Sequence, residues 1–297
     1  MSQDSTQLVS PSELEALHYQ STLLAKRNHQ RGGSLRIGQQ HSINRGAGLE
    51  LEDLRNYQAG DDVRHIAWRA SARQSNPLCK VFQAEQQERR LVCIEHHAGM
   101  CFGTEKELKA GRAIKLAAAL CFSALSRGAE VATLLASSKL QLWPFSHRLD
   151  DSFEFLRQAN QVPFSPAPIA QPTALLKQLQ HISQRHSQIC IISDFFHWQE
   201  KDFNTLASLN AKHSVLGLHV VDPGELKLNQ ESILRLLDSH SAKPSTINTR
   251  LPGLQQAYED RMQQKLQGVR RQLQQTGSDY IYSDGEQALL GLLEDKL

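Results

Sequence analysis

Apolar positions along this chain switch repeatedly between helical and strand spacing. Leu14, Leu17, Leu23 and Leu24 stand among helix formers over 12–27, and Gly32-Gly33 interrupts them, which predicts one helix followed by a loop. The apolar runs at 78–84 and 90–95 predict strands, the second apolar enough to be covered on both faces. Thr104 and Glu107 have the spacing of a capping box, and Leu108, Ile114, Ala117, Cys121 and Leu125 then recur at helical spacing until Gly128. Strands follow at 129–136 and 139–144, then a helix at 150–157 and an extended connection crowded by Pro163, Pro166, Pro168 and Pro172. A helix from Thr173 carries Leu175, Leu176, Leu179 and Ile182 on one face and leads to a strand at 188–193 that ends at Asp194. The alternation continues with a helix at 199–210, a strand at 214–221 and a turn at 222–225. Leu251, Leu254, Tyr258, Met262, Leu266, Val269 and Leu273 mark a long amphipathic helix halted by Gly277, before a strand at 279–283 and a helix at 285–296.

Strands separated by helical segments imply right-handed crossovers, so the fold class is α/β, with a doubly wound and mainly parallel sheet over 88–297. Residues 1–87 form an extension of N-terminal helix, basic loop and β-hairpin. In such folds binding sites gather outside the carboxyl ends of the strands, here near Glu95 and Asp194.

Charge and composition narrow the function classes. With 33 Lys and Arg against 31 Asp and Glu, the formal charge of +2 produces no global field to attract nucleic acid. The basic stretch between Glu15 and Glu50 (Lys26, Arg27, Arg31, Arg36, Arg45) lacks interleaved aromatics for base stacking. No run approaches the length of a transmembrane helix, and the opening Met-Ser-Gln-Asp-Ser is unlike a secretory signal, so a cytoplasmic location is expected. The 5 cysteines are scattered, mostly in apolar runs, and suit reduced core thiols.

The densest local signal is residues 45–85. Gly60-Asp61-Asp62 suits a turn with helix-capping carboxylates, and Arg55, Arg64, Arg69 and Arg73 can pair with Glu52, Asp53, Asp61 and Asp62 beside a buried Trp68. The order Arg55, Tyr57, Gly60, Asp61, Asp62, Arg64, Ile66, Trp68, Ala72, Arg73 resembles the signature of the bacterial family called domain of unknown function 58. Ala59 stands where that family has proline and Ala67 where it has aspartate. The resemblance implies a von Willebrand factor A-like domain after the signature. It also implies an accessory role beside a MoxR-type AAA+ ATPase and other von Willebrand A proteins, with any membrane contact indirect.

Von Willebrand A domains commonly carry a metal-ion-dependent adhesion site, in which hard oxygens from three loops hold Mg²⁺. Aligned on that pattern, Glu95, His97 and Gly99 replace its Asp, Ser and Ser, while Thr173 and Asp194 take the second- and third-loop positions. The site is degenerate, and Mg²⁺ is expected to bind poorly. Imidazole with carboxylate suits a softer divalent ion, which is the one cofactor to consider, although His96 and His97 project to opposite faces of a strand. The leading expectation is a non-enzymatic, chaperone-like interaction protein. Two alternatives stand beside it: a metal-dependent hydrolase using Asp61 or Asp62 with Glu95 and Asp194, and binding of nucleic acid or an anionic surface through Arg27, Arg31, Arg36 and Arg45.

Overall fold

The computed structural model describes residues 8–30, 45–58, 60–72, 76–83, 88–104, 107–161, 170–183, 186–227, 233–237, 244–249 and 253–297. Outside them lie Arg31, Arg36, the Gly32-Gly33 break, Ala59, Arg73, most of the proline-crowded connection and Leu251. The chain divides into two units, residues 1–35 with 88–297 and residues 36–87. The N-terminal helix therefore belongs with the sheet rather than with the signature segment.

Helix α1 (Pro11–Gln30) opens the larger unit. It is anchored by Asn160, whose Oδ1 accepts from Leu8 N at 2.8 Å and Val9 N at 3.0 Å while its Nδ2 donates to Val9 O at 2.8 Å. These bonds satisfy backbone groups just ahead of the helix and fix its start, so that Val9 and Leu14 enter the core.

The smaller unit pairs β1 (Arg45–Asn56) antiparallel with β2 (Leu78–Gln83). Between them stand a 3₁₀ turn at Val63–His65 and the short helix α2 (Trp68–Ser71). This antiparallel pair is the β-hairpin expected in the extension; the bounds of β1 were not read, because it has no clean period of two in sequence and its register with β2 shifts twice. Trp68 is 67% exposed, correcting the expectation of a buried indole: Ile66, Ala67, Leu78 and Cys79 supply the buried apolar positions instead.

The larger unit continues with β3 (Arg89–Glu95), α3 (Lys109–Ser126), β4 (Glu130–Ala136), β5 (Leu140–Ser146), α4 (Leu149–Asn160), α5 (Pro172–Ile182), β6 (Gln188–Ser193), α6 (Glu200–Asn210), β7 (Ser214–Val220) and α7 (Pro223–Leu226). It closes with β8 (Ile233–Leu237), β9 (Pro244–Asn248), α8 (Leu254–Gln275), β10 (Asp279–Ser283) and α9 (Leu289–Leu292). The sheet order is β10-β7-β6-β3-β4-β5, with β5 antiparallel to β4 and the other neighbours parallel. The chain starts at β3, winds outward to β5, then returns to the other side of β3, so the winding direction reverses between β3 and β6. That reversal opens a crevice at the carboxyl ends of these two strands.

Alternate residues of each strand feed two cores. Val92, Ile94, Val131, Leu135, Ile192 and Leu218 pack with α1, α3 and α4, while Leu91, Cys93, Leu134, Ile189, Ile191 and Val215 pack with α5, α6 and α8. Helix α3 is buried from Lys109 to Ala124 except at Lys115, and its run of small alanines lets it lie close to the sheet beneath α1 and α4.

Three boundaries differ from those predicted. Helix α3 starts at Lys109 after an uncapped Leu108, so Thr104 and Glu107 are not its capping box; the Thr104 hydroxyl donates to Asp222 Oδ1 instead. The segment 285–296 holds only α9 and a 3₁₀ turn at Glu294–Lys296. The hairpin β8–β9 was not read from the sequence.

Candidate functional site

Strand β3 ends at Glu95, and the chain turns immediately after it. His97 Nδ1 accepts from Gly99 N at 3.2 Å, capping a 3₁₀ turn at Ala98–Cys101. Strand β6 ends at Ser193, whose Oγ accepts from Phe195 N at 2.9 Å. Phe195 adopts φ +54°, a left-handed conformation costly for a bulky residue and held by its burial at 1% exposure. This corner redirects the backbone so that Asp194 and His197 both face the crevice.

Five groups then meet at the pole. Asp194 Oδ2 accepts from Lys109 Nζ at 3.1 Å, Asp194 Oδ1 accepts from Phe196 N at 3.2 Å, and His97 Nε2 approaches Oδ1 to 3.4 Å. Lys109 Nζ also donates to Glu225 Oε1 at 2.6 Å, and the same ammonium lies 5.8 Å from the ring centroid of Phe196. Glu225 is placed by a capping box in which its carboxylate accepts from Asp222 N while Asp222 Oδ1 accepts from Gly224 N. Glu95 is satisfied separately: its Oε2 accepts from Trp198 Nε1 at 2.8 Å, and its Oε1 lies 3.3 Å from His197 Nε2.

Electrostatics follow from that packing. Burial opposes ionisation of Asp194, yet Lys109 and the two imidazoles hold its carboxyl well below the usual range. Burial disfavours the Lys109 ammonium as well, and Asp194 with Glu225 overcomes it, raising the amine above its ordinary value. Glu225 is raised, because burial outweighs its contact with Lys109. His197 is raised through Glu95 against the pull of burial, whereas burial pushes His96 and His219 down to about 4.

Of the residues singled out from sequence, His97 and Asp194 meet, Glu95 sits one contact away through His197, and Thr173 does not join them. The Thr173 hydroxyl donates to Asp202 Oδ1 at 2.7 Å, bracing the N-terminus of α6. His197 was missed, although its position three residues beyond Asp194 at a strand end was the available signal. Among the described residues, His97, Asp194 and His197 are the one group whose ligand atoms lie mutually within 4.8 Å.

The donors do not fit Mg²⁺. That ion demands near-octahedral oxygen ligation, and the pole offers one carboxylate whose second oxygen already holds an ammonium. Because His97 Nδ1 accepts a hydrogen bond, the ring proton resides on Nε2, so the atom facing Asp194 has no lone pair to give.

In the smaller unit, Arg55 Nη2 donates to Asp61 Oδ1 at 2.6 Å, Asp61 Oδ2 accepts from Gln58 N, and Asp62 caps the 3₁₀ turn through Arg64 N. Tyr57 N donates to Pro77 O, and Gly60 takes φ +109° in the turn. Of the wider charge network expected there, the described residues show the Arg55–Asp61 pair, while Arg73 and the side chains of Glu52 and Asp53 lie outside them; Arg64, Arg69 and Trp68 are exposed.

The sheet order and antiparallel edge make the fold von Willebrand factor A-like. Uncharacterized proteins of Mycobacterium bovis and Mycobacterium tuberculosis are 28% identical over 201 residues, 66% of this chain, and the chain spans 62% of their length. Among similar solved structures, an aerotolerance-related membrane protein from Bacteroides fragilis gives a TM-score of 0.43 at 11% identity, over 67% of this chain and 92% of that one. The conserved hypothetical protein BatB from Bacteroides thetaiotaomicron gives 0.45 at 9% over 70% and 96%, and a von Willebrand factor type A protein from Catenulispora acidiphila gives 0.34 at 9% over 49% and 35%. Against the cytoplasmic location expected from the opening residues stands the description of the Bacteroides fragilis neighbour as a membrane protein. No described helix is long and apolar enough to cross a membrane. Residues 53–267 match the family described as Protein of unknown function DUF58, and the chain belongs to that family.

Proposed function

We propose that this chain is an accessory interaction protein without chemistry of its own, working with a MoxR-type AAA+ ATPase and companion von Willebrand A proteins to mature or activate other proteins. The observation that carries the reading is the saturation of the crevice carboxylates. Asp194 is held by Lys109 and Phe196 N, and Glu95 by Trp198, so neither is left to act as a base or to receive a hard cation. The reading takes the adhesion pole as degenerate. Docking is assigned to the signature unit, where Trp68 (67% exposed) and Val63 (59% exposed) stand with the exposed Arg64 and Arg69. Tryptophan and arginine are the residue types that most often dominate binding energy at interfaces.

The test is co-purification from native cells with the tagged wild-type chain and with a Trp68→Ala/Arg64→Glu variant. Recovery of a AAA+ ATPase by the wild type, reduced at least tenfold in the variant, is the expected result. Equal recovery by both, or none by the wild type, defeats the proposal.

A further inference from the structure

We propose that the Lys109 ammonium is the resident cation of the sheet pole, taking the place that a divalent ion holds in a metal-dependent adhesion site. Lys109 is the first residue of α3, so it belongs to the connection that leaves β3; Asp194 follows β6; Glu225 lies in α7, after β7. One buried amine thus ties together the connections after three strands that converge on the crevice, with contacts of 3.1 Å and 2.6 Å. Only 1% of its side chain is exposed, so solvent ions do not compete for these carboxylates without first displacing it.

The surrounding chemistry supports the same assignment. Phe196 lies face-on to Lys109 and is approached by Lys265 at 5.2 Å, an aromatic environment that favours an organic cation over a hydrated metal. His97 presents an N–H rather than a lone pair to Asp194, and Gly99 offers no hydroxyl where the adhesion pattern has serine. A Cβ at Gly99 would come within 3.0 Å of the His97 ring and 3.3 Å of Asp194 Oδ2, so the space for a serine side chain is already taken. The inference concerns the pole alone and does not rest on the partner: failure to recover an ATPase leaves it standing.

The experiment is thermal unfolding and calorimetric titration of the full chain with MgCl₂, MnCl₂ and ZnCl₂, each against an EDTA control. The wild type is expected to show no stoichiometric binding and no change in Tm on chelation. Lys109→Met, which keeps the stem and removes the charge, is expected to lower Tm by about 10 °C by leaving two buried carboxylates without their cation. Glu225→Gln, which keeps the shape and removes one partner, is expected to give a smaller loss and supplies the readout if Lys109→Met does not fold. Stoichiometric binding of any of the three ions by the wild type overturns the proposal, as does an unchanged Tm in Lys109→Met or Glu225→Gln.

Discussion

Trp198 donates its indole N–H to Glu95 Oε2 at 2.8 Å, joining the end of β3 to the loop that follows β6 across the point where the sheet reverses its winding. Both side chains are buried, at 8% and 2% exposure, so this bond is made where water cannot replace it.

Trp198→Phe is expected to destabilise the protein by about 2 to 3 kcal/mol, because a hydrogen bond to a buried charged acceptor is lost. Glu95→Gln in the same chain is expected to recover part of that loss. Urea unfolding of the single and double variants measures the coupling, and additive effects would show that the two residues do not interact.

Acid should weaken the fold well before carboxylates protonate. His96 and His219 are held down to about 4 by burial, below the ordinary histidine value of 6.5, so both are neutral in the folded state at neutral pH. A lowered histidine pKa contributes stability that is fully present above about pH 6.5 and is lost as pH falls toward 4. Each histidine contributes on the order of 3 kcal/mol across that interval. His219→Asn is expected to remove about one proton from the pH dependence of urea stability, whereas an unchanged slope would contradict the assignment. The raised His197 acts in the opposite sense: its contribution is complete below about pH 6.5 and fades as pH rises through its folded value.

Arg90 is 1% exposed and donates to Leu120 O at 3.0 Å, Ser123 Oγ at 3.2 Å and Lys296 O at 3.1 Å, pinning residues 294–297 against α3. Arg90→Ala strands those acceptors, and a loss of about 3 kcal/mol is expected together with faster proteolysis near Lys296. Protease mapping that leaves this segment as protected as in the wild type would refute the tie.

In the smaller unit, the pair between Arg55 and Asp61 closes the turn that precedes the 3₁₀ segment. Arg55→Ala is expected to accelerate amide exchange over 57–62 while leaving exchange in β3 and β6 unaltered. A uniform acceleration would mean that the pair supports more than this turn.

The alternation of strands and helices was legible because β3, β4, β6 and β7 are almost wholly buried and their sequences show it. The start of α3 was not, since the spacing of Thr104 and Glu107 carries no information about Asp222, 118 residues away, which takes the threonine hydroxyl. Trp68 misled because large aromatic residues usually find cover, and a surface aromatic has no distinguishing pattern along the chain. Asp194 was found through its position at a strand end, and His97 through the alignment on the adhesion-site pattern that the family resemblance implies. Lys109 escaped notice as a site residue because its two partners, Asp194 after β6 and Glu225 in α7, lie 85 and 116 residues along the chain and meet it only in the fold.

An amine carried on a helix has no dissociation rate of its own. Dilution, chelators and swings in free metal leave it seated, so any switching at this end of the protein has to come from moving the first turn of α3. That turn connects directly to the chain leaving β3, which gives mechanical strain there a shorter route to the pole than any change in the ionic composition outside.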